Sequence, residues 1–137
     1  MQEEFVVGFL FDLNKEHVVL IRKERPAWQL CLLNGVGGKV GPEETPLQAI
    51  KREFWEEAGL RIDNWEHVST EYTDEWKVHY FKASIQRIHL VKAESKTDEL
   101  VCIYRVDDLL LGSLVRGVEY FLAIARYGYD NHQRIGR

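Results

Sequence analysis

The sequence predicts an α/β protein: a mixed or mostly antiparallel β-sheet, one sharply delimited helix near the middle of the chain, and a second helix near the C-terminus. Three observations carry this. Short runs rich in Val, Ile, Phe and Leu alternate with polar turn clusters. The segment TPLQAIKREFWEEAGL has both helix-start and helix-stop chemistry, and the stretch from Leu114 to Tyr127 repeats apolar residues at helical spacing. With 137 residues, 45% of them hydrophobic and only 3 prolines, the chain is expected to form one domain spanning 1–137 with a sizeable core.

Taken in order, Phe5 to Phe11 and His17 to Ile21 are extended runs flanking the turn-forming DLNKE, which predicts an antiparallel hairpin. A third extended run is expected over Trp28 to Leu33. The glycine-dense NGVGGKVGPEET that follows marks a tight turn or a close backbone approach to a ligand. Thr45 is placed to cap the next helix, with Pro46 at its first position, Gln48 completing a capping box and Gly59 ending it, for a length of about 13 residues. Leu47, Ile50, Phe54 and Ala58 form its apolar stripe. Trp65 to Tyr72, Val78 to Ile85 and Leu100 to Val106 then read as strands separated by TDEWK and KAESKTDE. In the final helix Leu114, Val118, Phe121, Leu122 and Ala125 share a face, and the tail NHQRIGR reads as a frayed terminus.

Charge and composition exclude several functions. Acids outnumber bases 22 to 18, a net charge of −4, so there is no basic excess to hold polymeric nucleic acid by counterion release. Cys31 and Cys102 lie far apart in apolar settings, as buried thiols of a reducing cytoplasm would. The N-terminus lacks a positively charged leader, and no apolar run is long enough to span a bilayer. Metal-binding Cys/His spacings, a P-loop, a serine nucleophile elbow and a calcium-loop pattern are all missing.

Chemistry concentrates on the central helix. Glu53, Glu56 and Glu57 fall within an arc of roughly 100° beside the apolar stripe. Like charges at this spacing repel, and acids in the last turns oppose the helix dipole. Three acids alone are also compatible with a solvated face. They come, however, with Gly38, Glu44 and Arg52 at fixed offsets, in the pattern G-x5-E-x7-R-E-U-x-E-E-x-G-U, where U is apolar. This resembles the signature of the Nudix hydrolases at all nine specified positions, from Gly38 to Leu60.

The resemblance implies an α/β/α sandwich with a mixed sheet, a catalytic helix and a C-terminal helix. It implies hydrolysis of a nucleoside diphosphate linked to another group, with Mg²⁺ or Mn²⁺ as cofactor. By motif position, Glu53, Glu56, Glu57 and the carbonyl of Gly37 would bind metal, Arg52 would hold Glu53, and Glu44 would support Arg52. Hard carboxylate oxygens shared with waters and phosphates suit Mg²⁺, and an adjacent carboxylate can take a proton from the attacking water. Glu53 and Glu99 are the candidates for that base. Arg22, Lys23 and Lys39 are candidate phosphate ligands, each also readable as a solvated charge.

The run Asn34 to Val40 resembles that of family members which hydrolyse 8-oxo-dGTP, in which the asparagine contacts the base; Asn34 is equally a plausible turn residue. Asp107 and Asp108 resemble a late acidic element of some members, although VDDL also reads as a helix entry. Trp28, Tyr72, Trp76 and Phe81 are expected in the core rather than stacked on a base. A proline and a tyrosine that mark many ADP-ribose and dinucleoside polyphosphate hydrolases are replaced by Glu75, Trp76 and Lys77. The leading expectation is therefore an enzyme converting a purine (deoxy)nucleoside triphosphate, intact or oxidised, to its monophosphate and pyrophosphate. ADP-ribose, ADP-sugar or dinucleoside polyphosphate hydrolysis and a non-catalytic nucleotide sensor are the alternatives, with a small-molecule nucleotide as partner and a monomer or homodimer as the assembly.

Overall fold

The computed structural model describes residues 2–23, 32–91 and 100–128. Trp28, Cys31, Glu99 and the tail NHQRIGR lie outside them, as does most of the expected third strand.

Strands β1 (Glu3–Asp12) and β2 (His17–Arg22) form the expected hairpin. Asp12 closes its turn, accepting hydrogen bonds from the backbone N–H groups of Glu16 at 2.9 Å and His17 at 3.0 Å. The two strands pair only beside the turn, at Leu10↔Val19 and Phe11↔Val18, and then part. Strands β3 (Leu33–Asn34) and β4 (Val36–Lys39) fill the opening: β3 pairs with β2 at Ile21↔Asn34, and β4 pairs antiparallel with β1 from Phe5↔Lys39 to Gly8↔Val36. The glycine-dense segment is thus partly a strand rather than a loop. Glycine has poor strand propensity, and this strand exists because a long-range backbone ladder holds it.

Helix α1 (Pro46–Ala58) has the predicted bounds. Thr45 Oγ1 accepts from Gln48 N at 3.1 Å, and Gln48 Oε1 accepts from Thr45 N at 2.8 Å. Gly59 stops the helix in the left-handed conformation, φ 70°. The buried face differs from the expected stripe: Leu47 is exposed and Ala49 is buried in its place. Strands β5 (Glu66–Tyr72) and β6 (Trp76–Ile85) form a second hairpin, and β6 runs parallel to β1 from Glu3↔Trp76 to Asp12↔Ile85. Strand β7 (Leu100–Arg105) pairs with β2 along its whole length. The mixed sheet therefore runs β5-β6-β1-β2-β7, with β3 and β4 wedged between β1 and β2.

Helix α2 (Val118–Tyr127) starts later than the sequence predicts. Gly117, at φ 92°, interrupts the chain before it, and Leu114 instead bridges Leu33. Leu114 nevertheless faces the same core as Val118, Phe121, Leu122 and Ala125. Alternation along the strands supplies two cores. Val6, Leu10, Val19, Ile21, Phe81 and Val101 pack under Ile50, Phe54 and Ala58 of α1. Val7, Phe9, Phe11, Val18, Leu20 and Tyr80 pack under α2. At about 1.5 to 3 kcal/mol for each large side chain removed from water, these two layers fix both helices against the sheet. Among the described residues, no helix is long and apolar enough to cross a membrane.

Candidate active site

The site is built on the two sides of β4. On the α1 side, Arg52 makes five hydrogen bonds, one for each N–H of a guanidinium. Nε donates to Glu44 Oε2 at 2.6 Å and Nη2 to Glu44 Oε1 at 2.9 Å, a bidentate pair. Nη1 donates to Glu53 Oε2 at 2.9 Å and to Glu56 Oε1 at 2.8 Å. Nη2 also reaches the Lys39 carbonyl at 3.0 Å. Glu44 is itself held by the Gly41 N–H at 2.8 Å. This positions a loop carboxylate, a strand carbonyl and two helix carboxylates around one cation.

These contacts set the ionisation of the group. Hydrogen bonding from Arg52 holds the Glu44 carboxyl below its usual range, and Glu44 foremost raises Arg52 above its already high value. Burial pushes Glu53 the other way, upward, against the pull of Arg52 and with the neighbouring charges of Glu56 and Glu57 adding to the rise. The three glutamates do not share a solvated face. Glu57 is buried at 7% exposure, seven residues after Ile50 and so on the same helix face; Glu53 is largely buried and Glu56 half-exposed.

Two glycines let the helix and strands meet. A Cβ on Gly38 would stand 2.5 Å from the Glu53 carboxylate, and one on Gly37 would stand 1.9 Å from the Val6 carbonyl oxygen. Val40 N donates to Glu4 O in the ladder with β1. Strand alternation then turns the carbonyls of Lys39 and Gly37 to the opposite edge, where Arg52 takes that of Lys39. As drawn together by Arg52, no three acidic, His or Cys side chains among the described residues surround a common point at ligand distance. The donor set still fits a hard divalent cation, since Glu53 and Glu56 each bind Arg52 through a single oxygen and the cradle at Gly38 admits nothing bulkier than hydrogen beside Glu53.

On the α2 side lies a cleft of about 440 Å³, floored by Val7, Gly37 and Gly38. Lys23 and Asn34 stand on one wall, Glu71, Trp76, Val78 and Tyr80 on the other, with Val115, Arg116 and Val118 at the start of α2. Asn34 lines the cleft, and its Oδ1 accepts the Gly35 N–H at 2.7 Å. Of the expected phosphate ligands, Lys23 lines the cleft, Arg22 is at the end of β2, and Lys39 pairs with Glu3 at 2.5 Å. Asp107 pairs with Arg126 at 3.0 Å, and Asp108 lies 3.7 Å from Arg105. Of the aromatics expected in the core, Phe81 is buried there, whereas Tyr72 and Trp76 are exposed because the hairpin turn ends at Trp76. Sequence reasoning missed Glu71, Tyr80 and Arg116; only the β5–β6 register and the position just before α2 bring them to the cleft.

The NUDIX domain model matches residues 3–123. The chain belongs to the Nudix family. Solved structures share its fold: a MutT protein from Bacillus halodurans at 21% identity and a TM-score of 0.70, covering 88% of this chain and 80% of that one, and a MutT NUDIX hydrolase from Burkholderia pseudomallei at 19% identity and 0.70, covering 90% and 97%. No curated protein matches at the level of sequence. The chain is a Nudix hydrolase with the α/β fold of that family, and its motif places the Nudix glutamates on α1, directly behind Gly38.

Proposed function

We propose that this Nudix hydrolase converts a purine (deoxy)nucleoside triphosphate, intact or oxidised, to the monophosphate and pyrophosphate, using Mg²⁺ or Mn²⁺ in a reducing cytoplasm. One observation carries the reading: Gly37 and Gly38 separate the glutamates of α1 from a base-sized cleft that Asn34 lines, so a nucleotide seated in the cleft extends its phosphates over the glycines toward Glu53. Glu53, Glu56, Glu57 and the Gly37 carbonyl would hold the cation, which supplies charge neutralisation to the phosphates and acidifies water. Arg52 fixes Glu53 and Glu56, and Glu44 fixes Arg52. Glu53, whose carboxyl burial raises, is the described residue suited to accept the proton of the attacking water. Lys23, which lines the cleft, would meet the phosphate chain. The free thiol of Cys102 agrees with a reducing compartment.

The test is product identification after incubation with Mg²⁺ and a panel of nucleoside triphosphates, oxidised nucleotides, ADP-ribose and dinucleoside polyphosphates. Monophosphate and pyrophosphate from a purine triphosphate are expected. Preferred cleavage of ADP-ribose or a dinucleoside polyphosphate would overturn the substrate, and binding without turnover would make the domain a sensor.

A further inference from the structure

The cleft contains two charged side chains that the proposed phosphate chemistry does not use. Glu71 projects from β5 beside Val78, and Arg116 immediately precedes Gly117, whose left-handed backbone starts α2. Both line the cleft, and neither side chain forms an ion pair or hydrogen bond with another described residue, including each other. Glu71 pairs with Val78, and Tyr80 lies two residues further along β6 on the same face, so Glu71 and Tyr80 share one wall of the cleft; burial foremost, and then the nearby Glu71 charge, raise the Tyr80 hydroxyl. Tyr80 itself is fixed, its ring stacked on Phe121 at 3.8 Å.

The cleft therefore offers a definite pattern of donors and acceptors. A guanidinium only donates, an ionised carboxylate only accepts, and Asn34 has its oxygen engaged by Gly35. A planar ligand that meets Arg116 and Glu71 with one edge carries an acceptor next to donors on that edge. A 6-oxo-2-aminopurine does so, with O6 beside N1–H and the 2-amino group. Adenine reverses the order, placing an amino donor toward Arg116 and the N1 lone pair toward Glu71. Both side chains are exposed in the cleft; a base seated there takes them out of water, and a base that leaves them unmatched is penalised, which is what makes such a site selective.

We propose that Arg116 and Glu71 are specificity-determining residues that select a guanine-type base, Arg116 donating to O6 and Glu71 accepting from N1–H and the 2-amino group. The inference rests on the reading that the nucleotide base occupies this cleft. It is tested by equilibrium binding of GMP, IMP and AMP to the wild-type protein, Glu71→Ala and Arg116→Ala, with Mg²⁺-dependent GTP hydrolysis measured in parallel. Wild type should bind GMP at least 10-fold more tightly than AMP, with IMP between them. Glu71→Ala should lose at least 10-fold for GMP and less for IMP, Arg116→Ala should weaken GMP and IMP alike, and AMP should stay within 2-fold in both. Equal affinity of wild type for GMP and AMP, or equal losses for all three ligands, would overturn the assignment. GTP hydrolysis without base discrimination sinks this pair alone, whereas discrimination in binding without any hydrolysis sinks the catalytic reading and leaves the pair standing.

Discussion

Gly37 and Gly38 separate two regions organised on opposite principles. On the α1 side every Arg52 N–H has an acceptor, and Glu44, Glu53 and Glu56 are held in place by that one cation. On the α2 side Asn34, Glu71 and Arg116 line an open cleft with polar groups to spare. A reaction centre gains from groups that need no reorganisation when charge develops. A recognition surface gains instead from groups that only the correct ligand satisfies, because the penalty for the wrong ligand is an unmatched polar group. The same short strand serves both because its two middle residues are glycines and let groups approach from either face.

The largest effect should come from breaking that separation. Gly38→Ala puts a methyl group 2.5 Å from the Glu53 carboxylate, so Glu53 must move. A displacement of about 1 Å is enough to lower kcat by roughly 10²-fold. Glu53→Gln should lose at least as much, and the double variant no more than Glu53→Gln alone, since both act on one group. Steady-state kinetics in saturating Mg²⁺ checks this; losses that multiply in the double variant would mean Gly38 acts elsewhere.

Next in size is the response to metal. A cation that binds only the folded protein stabilises it by about 2.7 kcal/mol at a concentration 100 times its Kd, so millimolar Mg²⁺ should raise Tm in thermal denaturation. Glu53→Gln/Glu56→Gln/Glu57→Gln should show no shift. Because Glu57 is buried, the triple variant should also be less stable than wild type without metal, unlike a variant stripped of exposed, mutually repelling acids. An equal Mg²⁺ shift in both proteins would move the cation away from α1.

The two regions were not equally legible in the sequence. Helix α1 was read to the residue because Thr45, Gln48 and Gly59 act through bonds to their own neighbours, and the Nudix spacing lies on that same helix. Strand β4 has no local strand signal and reads as a tight turn or a close approach, since its pairing with β1 is long-range and its glycines are dictated by Val6 and Glu53 rather than by strand propensity. The spacing of Glu57 to Ile50 puts it on the buried face, but three neighbouring acids also read as a solvated face, and the spacing alone does not decide between the two. The pattern at Leu114 continued an apolar face across a chain that Gly117 had already turned out of helical register. Glu71 and Arg116 had no local signature at all, because only tertiary structure brings β5 and the start of α2 to one cleft.

A smaller and more selective effect is expected on the recognition side. Asn34 lines the cleft and makes no hydrogen bond to an α1 carboxylate, so Asn34→Ala should leave the phosphate chemistry intact. Losing one base-reading contact costs about 1 to 3 kcal/mol in kcat/KM for the preferred nucleotide, roughly 5- to 150-fold, with little change for poor substrates. Competition assays between purine triphosphates measure that discrimination. Uniform losses across all bases would show that Asn34 only shapes the turn at Gly35.

The smallest effect is one of pH, and it tests whether the α1 network is held by charge. Arg52 keeps the Glu44 carboxyl below its ordinary value of 4.5. A group with a depressed folded-state pKa contributes stability that is complete above the unfolded value and is lost as pH falls through the folded one. Glu44→Gln should therefore cost about 1.5 to 3 kcal/mol near pH 7, the range for a hydrogen bond to a charged group. The gap between the two proteins should stay constant down to about pH 5, narrow below 4.5 and close once Glu44 is protonated in the folded state. Glu53, which burial shifts upward, contributes with the opposite sign, its penalty being relieved as pH falls; it is present in both proteins and does not create the gap. Urea denaturation of wild type and Glu44→Gln from pH 7 to pH 3 reads the difference directly, and a gap independent of pH would show that Glu44 supports Arg52 by shape rather than by charge.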